Sequence, residues 1–203
     1  MRPTFISIEG IDGAGKSTHL AAIRARLEAL GAEVTQTREP GGTPLAETLR
    51  TLVLNEAMDA PTEAMLVFAA RRDHVQQLIR PALARGAVVL ADRFADSSFA
   101  YQGGGRGAPA AMLSQLEAWA CDGLRPDLTL WFDLAPAEAA RRRAQARAAD
   151  RFEAEDLEFF ERVRAAYQAR ADAEPQRFVR LDAGQAIDAV GRDVMAALRE
   201  RGW

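Results

Sequence analysis

The sequence predicts an α/β fold, a doubly wound parallel sheet of about five strands flanked by helices. Short apolar runs near residues 4–9, 33–37, 87–91, 128–134 and 177–182 alternate with longer segments of helical periodicity, as expected when helices cross between parallel strands. A glycine-rich turn joins the first run to the first helical segment. The 203 residues, 48% of them apolar, can bury one substantial core, and this length fits a single domain over 1–203 better than two.

The first run, Phe5, Ile6 and Ile8 around Ser7, ends at Glu9 and enters Gly10-Ile11-Asp12-Gly13-Ala14-Gly15-Lys16-Ser17, the pattern G-x-x-x-x-G-K-[ST]. Its glycines let the backbone turn so that successive N–H groups, continuing to Thr18, face inward and cradle an anion. Lys16 can reach the outer phosphates of a nucleotide such as ATP, and the Ser17 hydroxyl can ligate Mg2+. Lys16 is the only lysine in the chain, every other fixed cation being arginine. A compact ammonium kept at this one position points to a nucleotide phosphate, and the fold to the P-loop NTPase type.

Leu20, Ile23, Leu27 and Leu30 then recur at helical spacing until Gly31, and the second strand leads into Thr37-Arg38-Glu39-Pro40-Gly41-Gly42-Thr43, a polar turn before a helix at 45–54. Val67 to His74 lie on a further helix, where Phe68 and the arginines 71 and 72 stand one turn apart, close enough to grip a flat polar ring. The next helix contains Leu78, Ile79 and Leu83 and stops at Gly86; Pro81 requires a kink or break within it. The strand Ala87–Ala91 ends in Asp92-Arg93, placed at the carboxyl edge of the sheet beside the phosphate loop. There Asp92 can hold the hydration shell of magnesium and Arg93 can clamp a second anion. Asp96 to Gly107 places polar groups, among them Ser98, Tyr101 and Gln102, where they can read the edges of a base and sugar, and then a loop too glycine-rich to pack alone; a flexible surface loop is the alternative. Residues 135–149, rich in alanine and arginine, suit a helix, and a lid at about 141–156 carries Arg147 and Arg151. The phosphate loop contains no arginine, so the lid must supply the one that stabilises a transferring phosphoryl group.

A formal charge of −3 gives no general attraction to nucleic acid or anionic lipid, so the arginines act in local clusters. No apolar stretch is long enough to span a membrane and the N-terminus lacks signal-peptide features, which makes a cytoplasmic protein the expectation. Cys121 stands alone and reads as a packed thiol. His19 and His74 have no second metal ligand at suitable spacing and read as structural or surface residues.

In order and spacing these motifs resemble the thymidylate kinase family over nearly the whole chain. The most specific carriers are Asp92-Arg93-Phe94 with Ala100-Tyr101-Gln102-Gly103 and the Asp150-Arg151-Phe152-Glu153 segment. The resemblance implies transfer of the γ-phosphoryl group of ATP to dTMP with magnesium, and a homodimer. It implies that Asp12 faces the acceptor, that Arg38 and Arg93 clamp the dTMP phosphate, and that Phe68 stacks on thymine while Arg71 bonds its exocyclic oxygen. Ser98 and Gln102 would border the base, Tyr101 would crowd the 2′ position, and Arg147 and Arg151 would serve the transferring group. Many family members place the stacking phenylalanine four residues before the arginine, where this chain has Val67; either Phe68 stacks at an offset or Arg72 is the reader. A kinase for another nucleoside monophosphate, or a nucleotide-gated binding module, would share the phosphate loop. With Asn55 the only asparagine, an Asn-Lys-x-Asp guanine-reading motif is excluded.

Overall fold

The computed structural model describes residues 4–143, 151–152 and 155–203. Strands β1 (Thr4–Glu9), β2 (Val34–Arg38), β3 (Val88–Asp92), β4 (Leu128–Asp133) and β5 (Phe178–Asp182) form one sheet in the order β2-β3-β1-β4-β5, with every pairing parallel. Helices α1 (Lys16–Ala29), α2 (Pro44–Asn55), α3 (Ala60–His74), α4 (Arg80–Ala84), α5 (Ala95–Ser98), α6 (Ala110–Cys121), α7 (Pro136–Arg143), α8 (Leu157–Ala173) and α9 (Ile187–Glu200) surround it. The apolar runs become strands because both faces are covered. Ile6, Ile8, Val88 and Leu90 join the core beneath α1, α8 and α9, while Phe5, Val89 and Ala91 point the other way, into a cluster with Val75, Ile79 and Ala82. The chain leaves β1 toward β2 and later crosses back to β4, so the carboxyl ends of β1, β3 and β4 flank the reversal where such sheets open a crevice.

Two segments depart from ordinary helical winding. Residues Val75–Ile79 continue α3 as a π-helical turn, and α4 begins just beyond it with Pro81 in its first turn, so the wider winding comes just before the residue that has no N–H to donate. The break that Pro81 requires is therefore a change of winding within a continuous rod. In the second segment the glycine-rich stretch expected as a loop is wound instead: α5 is followed by a π-helical turn, Phe99–Gly105, packed on α8. Its glycines serve close approach. A Cβ on Gly104 would stand 2.7 Å from both the Ala166 methyl and the Arg162 carbonyl oxygen, and one on Gly105 would collide with the Phe159 ring. Substituting Gly104→Ala is expected to destabilise the protein by about 1–2 kcal/mol even though alanine favours helix, because backbone of α8 must move. Urea unfolding checks this: a lower midpoint at unchanged slope is expected, and a midpoint equal to the parent's would contradict the packing account.

Candidate active site

Strand register gathers the polar residues at one edge. Ile8 and Arg38 both pair with Asp92, the Arg93 amide donates to Ile8 O, and the Glu39 amide donates to Asp92 O. Beyond β1 the chain turns at Gly10, whose φ of 139° and approach to the Phe132 carbonyl leave no room for a side chain, and reaches α1 through Gly15 at φ 83°. Ile11 and Ala14 are buried in the core, so the loop presents backbone rather than side chains. Lys16 folds back over it, donating to Gly10 O at 3.0 Å and Ile11 O at 3.2 Å. Burial and the neighbouring Arg93 lower the affinity of this ammonium for its proton, against the carboxylates of Asp12, Asp92 and Glu9. Gly13, Gly15, Lys16 and Ser17 line a cleft with Arg38 and Asp92, and Thr18 is exposed at the next position of α1. Arg38 stands at the rim, paired with Glu47 at 2.9 Å.

Arg93 holds the centre. It is a non-glycine residue at φ 73°, a conformation that costs on the order of 1–2 kcal/mol and persists only where surroundings enforce it. One terminal nitrogen donates to Gly10 O (2.8 Å), Ser97 Oγ (3.2 Å) and Tyr167 Oη (3.2 Å); the other donates to Asp12 Oδ1 (2.5 Å) and Tyr101 Oη (3.1 Å). Although burial opposes it, the charges of Arg93 and Lys16 hold Asp12 well below the usual carboxylate range. Burial raises the Tyr101 hydroxyl, which stays protonated and donates to Asp12 Oδ2 at 2.9 Å. Beneath this layer Glu9, fully buried, accepts from the Phe94 amide (2.7 Å), Ser97 Oγ (2.6 Å) and Tyr167 Oη (2.9 Å). Burial, with the charge of Asp96, pushes its carboxyl up to about 7.

A second cleft shares Asp12, Glu39, Arg50 and Arg93 with the first and runs toward Val67, Arg71, Ser98, Tyr101, Gln102 and Phe152. The two arginines of α3 point apart: Arg71 enters this cleft, whereas Arg72 reaches the Trp119 carbonyl at the end of α6. Phe68, expected to stack on a base, is not among the residues that line this cleft. Its buried ring underlies the Arg71 guanidinium at 4.6 Å, and Val67 forms the wall instead. Ser98 accepts from Arg71 at 3.0 Å, and Gln102 donates to the buried Glu63 at 2.9 Å. Arg151 pairs with Glu63 and lies over Phe152, whose ring meets Tyr101 edge-on. Arg147 lies outside the described residues.

Sequence reasoning missed Arg50, which projects from α2 into both clefts and donates to Pro40 O at 2.9 Å. Nothing in an ordinary helical stretch marks it; only its distance from the polar turn could have. It also passed over Glu9 and Tyr167, whose strand-end and helical settings look structural.

A glycine turn of phosphate-binding pattern and a second arginine-lined cleft, sharing Arg50 and Arg93 at the carboxyl edge of a parallel sheet, define a P-loop enzyme of the kind that brings two anionic ligands together. The chain belongs to the thymidylate kinase family, whose model matches residues 8–194. It is 60% identical to the thymidylate kinase of Albidiferax ferrireducens, with 98% of this chain and 96% of that one covered, and 54% identical to that of Methylobacillus flagellatus, with 98% of each covered. A crystal structure of thymidylate kinase from Ehrlichia chaffeensis superposes with a TM-score of 0.81 at 32% identity, covering 98% of this chain and 99% of that one.

Glu9 gives a test by pH. From the ordinary 4.5 up to about 7 the folded chain keeps a proton that the unfolded chain releases, so this residue's contribution to stability fades as pH rises through that window. Substituting Glu9→Gln, which is neutral throughout, is expected to remove on the order of 1–3 kcal/mol of that decline. Unfolding free energies of both proteins from pH 4.5 to 8 check it, and parallel curves would contradict the shift.

Proposed function

We propose that this protein transfers the γ-phosphoryl group of ATP to dTMP, forming dTDP and ADP in the supply of dTTP. The observation that supports the reading most directly is Arg93, which lines the phosphate-loop cleft and the second cleft at once and so stands where donor and acceptor phosphates would meet. The loop from Gly10 to Thr18, with Lys16, would hold the ATP phosphates. Arg93, Arg38 and Arg50 would clamp the dTMP phosphate. Arg71 would donate to the thymine carbonyl, Ser98 and Gln102 would border the base, and Tyr101 would press on the 2′ position against a ribonucleotide. Val67 is the better placed residue for the ring face, with Phe68 supporting Arg71 from behind.

The residues present suit magnesium. Asp92 Oδ1 is buried without a hydrogen-bond partner, and Asp92 lines the same cleft as Ser17. These two would hold the ion, directly or through its water shell, and it would supply neutralisation of charge on the phosphate oxygens. No separate base is needed, because the second ionisation of a phosphate monoester falls near ~6 and leaves the acceptor mostly dianionic at neutral pH. Asp12 keeps Arg93 aimed between the two ligands. Arg147 and Arg151, from a lid at about 141–156, would complete the charge neutralisation, Arg151 exchanging Glu63 for phosphate.

Two copies of the chain would act as a homodimer; exposed Met65 and Trp119, on the neighbouring helices α3 and α6, are apolar surface that pairing would cover. Among the described residues no helix is long and apolar enough to cross a membrane, and the protein would act in the cytoplasm, where its nucleotide substrates are found.

A coupled assay with ATP, magnesium and a panel of dTMP, dUMP, ribothymidine monophosphate and dCMP tests the proposal. The highest kcat/KM is expected for dTMP, and a clear preference for another acceptor would replace this reading with that of a different nucleoside monophosphate kinase. Within the same assay Arg151→Ala is expected to lower kcat by roughly 10²-fold or more with KM for dTMP changed far less. Unaltered turnover would remove Arg151 from the phosphoryl site.

A further inference from the structure

His74 is completely buried and tied at both ring nitrogens. Its Nδ1 lies 2.9 Å from Glu39 Oε1 and its Nε2 2.7 Å from Thr37 Oγ1. An ionised carboxylate can only accept, so Nδ1 carries the hydrogen and donates. Glu39 passes the constraint on: its other oxygen accepts from Arg71 Nε at 2.7 Å. The Arg71 terminal nitrogens then donate to Ser98 Oγ at 3.0 Å and to Phe94 O at 3.1 Å, with the guanidinium plane over the Phe68 and Phe94 rings. Of the five guanidinium N–H groups, these bonds leave one on each terminal nitrogen for the cleft that Arg71 lines.

This chain of contacts joins parts of the molecule that sequence keeps apart. Thr37 belongs to the end of β2 and Glu39 to the turn just beyond Arg38, while His74 and Arg71 belong to the end of α3. The turn is pressed onto the histidine so closely that a Cβ on Gly42 would sit 2.6 Å from Thr37 Oγ1 and 2.7 Å from His74 Nε2. The buried guanidinium cannot be reoriented by solvent, so its aim is set by Glu39, and the position of Glu39 is set by His74.

We infer that His74, acting through Glu39, is a positioning residue that aims Arg71 and thereby sets the preference for a pyrimidine with a carbonyl rather than an amino group at its reading edge. This rests on the functional reading above, in which Arg71 faces the acceptor base. A carbonyl accepts from the two free N–H groups, whereas an exocyclic amine meets them donor to donor, so selectivity depends on how firmly the guanidinium is held. Loosening it weakens the binding of the correct base and leaves that of the wrong one nearly unchanged.

The test uses the full chain with three substitutions. His74→Leu removes the donor to Glu39, His74→Asn keeps a donor close to the Nδ1 position, and Thr37→Val removes only the hydroxyl. KM for dTMP and for ATP, kcat, and the inhibition constant of dCMP against dTMP are measured for each folded protein. For His74→Leu the dTMP KM is expected to rise about tenfold and the ratio of dCMP inhibition constant to dTMP KM to fall about tenfold, with the ATP KM unchanged. His74→Asn should recover most of both. A folded leucine variant that keeps the parent's ratio overturns the inference, as does a loss shared equally by kcat and both KM values that asparagine does not repair. If the leucine variant does not fold, Thr37→Val decides: a few-fold fall in the same ratio supports the relay, and an unchanged ratio overturns it. Failure of the underlying reading is visible separately, since the unsubstituted protein would then show no preference for dTMP.

Discussion

The arrangement at the sheet edge depends on one guanidinium held in a strained backbone position. Arg93 follows directly on β3, and its left-handed φ turns the side chain back across the ends of β1 and the phosphate loop instead of out along the strand. Five acceptors then fix it: a loop carbonyl, a carboxylate and three hydroxyls. Two of those hydroxyls, on Ser97 and Tyr167, are themselves committed to Glu9. Strand, helix and loop thus converge on a single cation, and the local strain is offset by bonds that few other side chains could make. Preorganisation of this kind suits phosphoryl transfer, where positioning and charge neutralisation carry most of the catalysis.

The fold was largely legible because its signals are local. Each apolar run is short, bounded by turn residues and separated from the next by helical periodicity, and the structure assigns strands within a residue or so of those runs. Arg38 joins β2 by pairing with Asp92, a distinction no local pattern makes. The segment 99–105 was misread for a physical reason. Glycine lowers helix propensity in isolation, yet here the missing side chains let a wide helical turn press against Phe159, Arg162 and Ala166. Propensity describes the segment alone, and its neighbour from α8 decides the outcome.

The site was legible in part. The phosphate loop and Asp92-Arg93 announce themselves because residues contiguous along the chain line the cleft together. Val67 and Phe68 were not separable in sequence, since both lie within a helical turn of Arg71 and only tertiary contact decides which ring or wall the guanidinium covers. His74 was set aside as lacking metal partners, and its true partners, Thr37 and Glu39, stand 37 and 35 residues away. Arg50 was invisible for the same reason: its meaning comes from the turn it touches and not from the helix that carries it.

The solitary lysine has a consequence for how such a protein can be modified. Cellular acylation and isopeptide conjugation act on side-chain amines, and this chain offers one, folded over the carbonyls of its own glycine turn. The arginines that carry every other fixed positive charge are inert to that chemistry. Any such mark on a side chain would therefore fall on the lysine of the glycine turn itself, so a tag placed for turnover or signalling could not be kept away from the cleft that this turn lines.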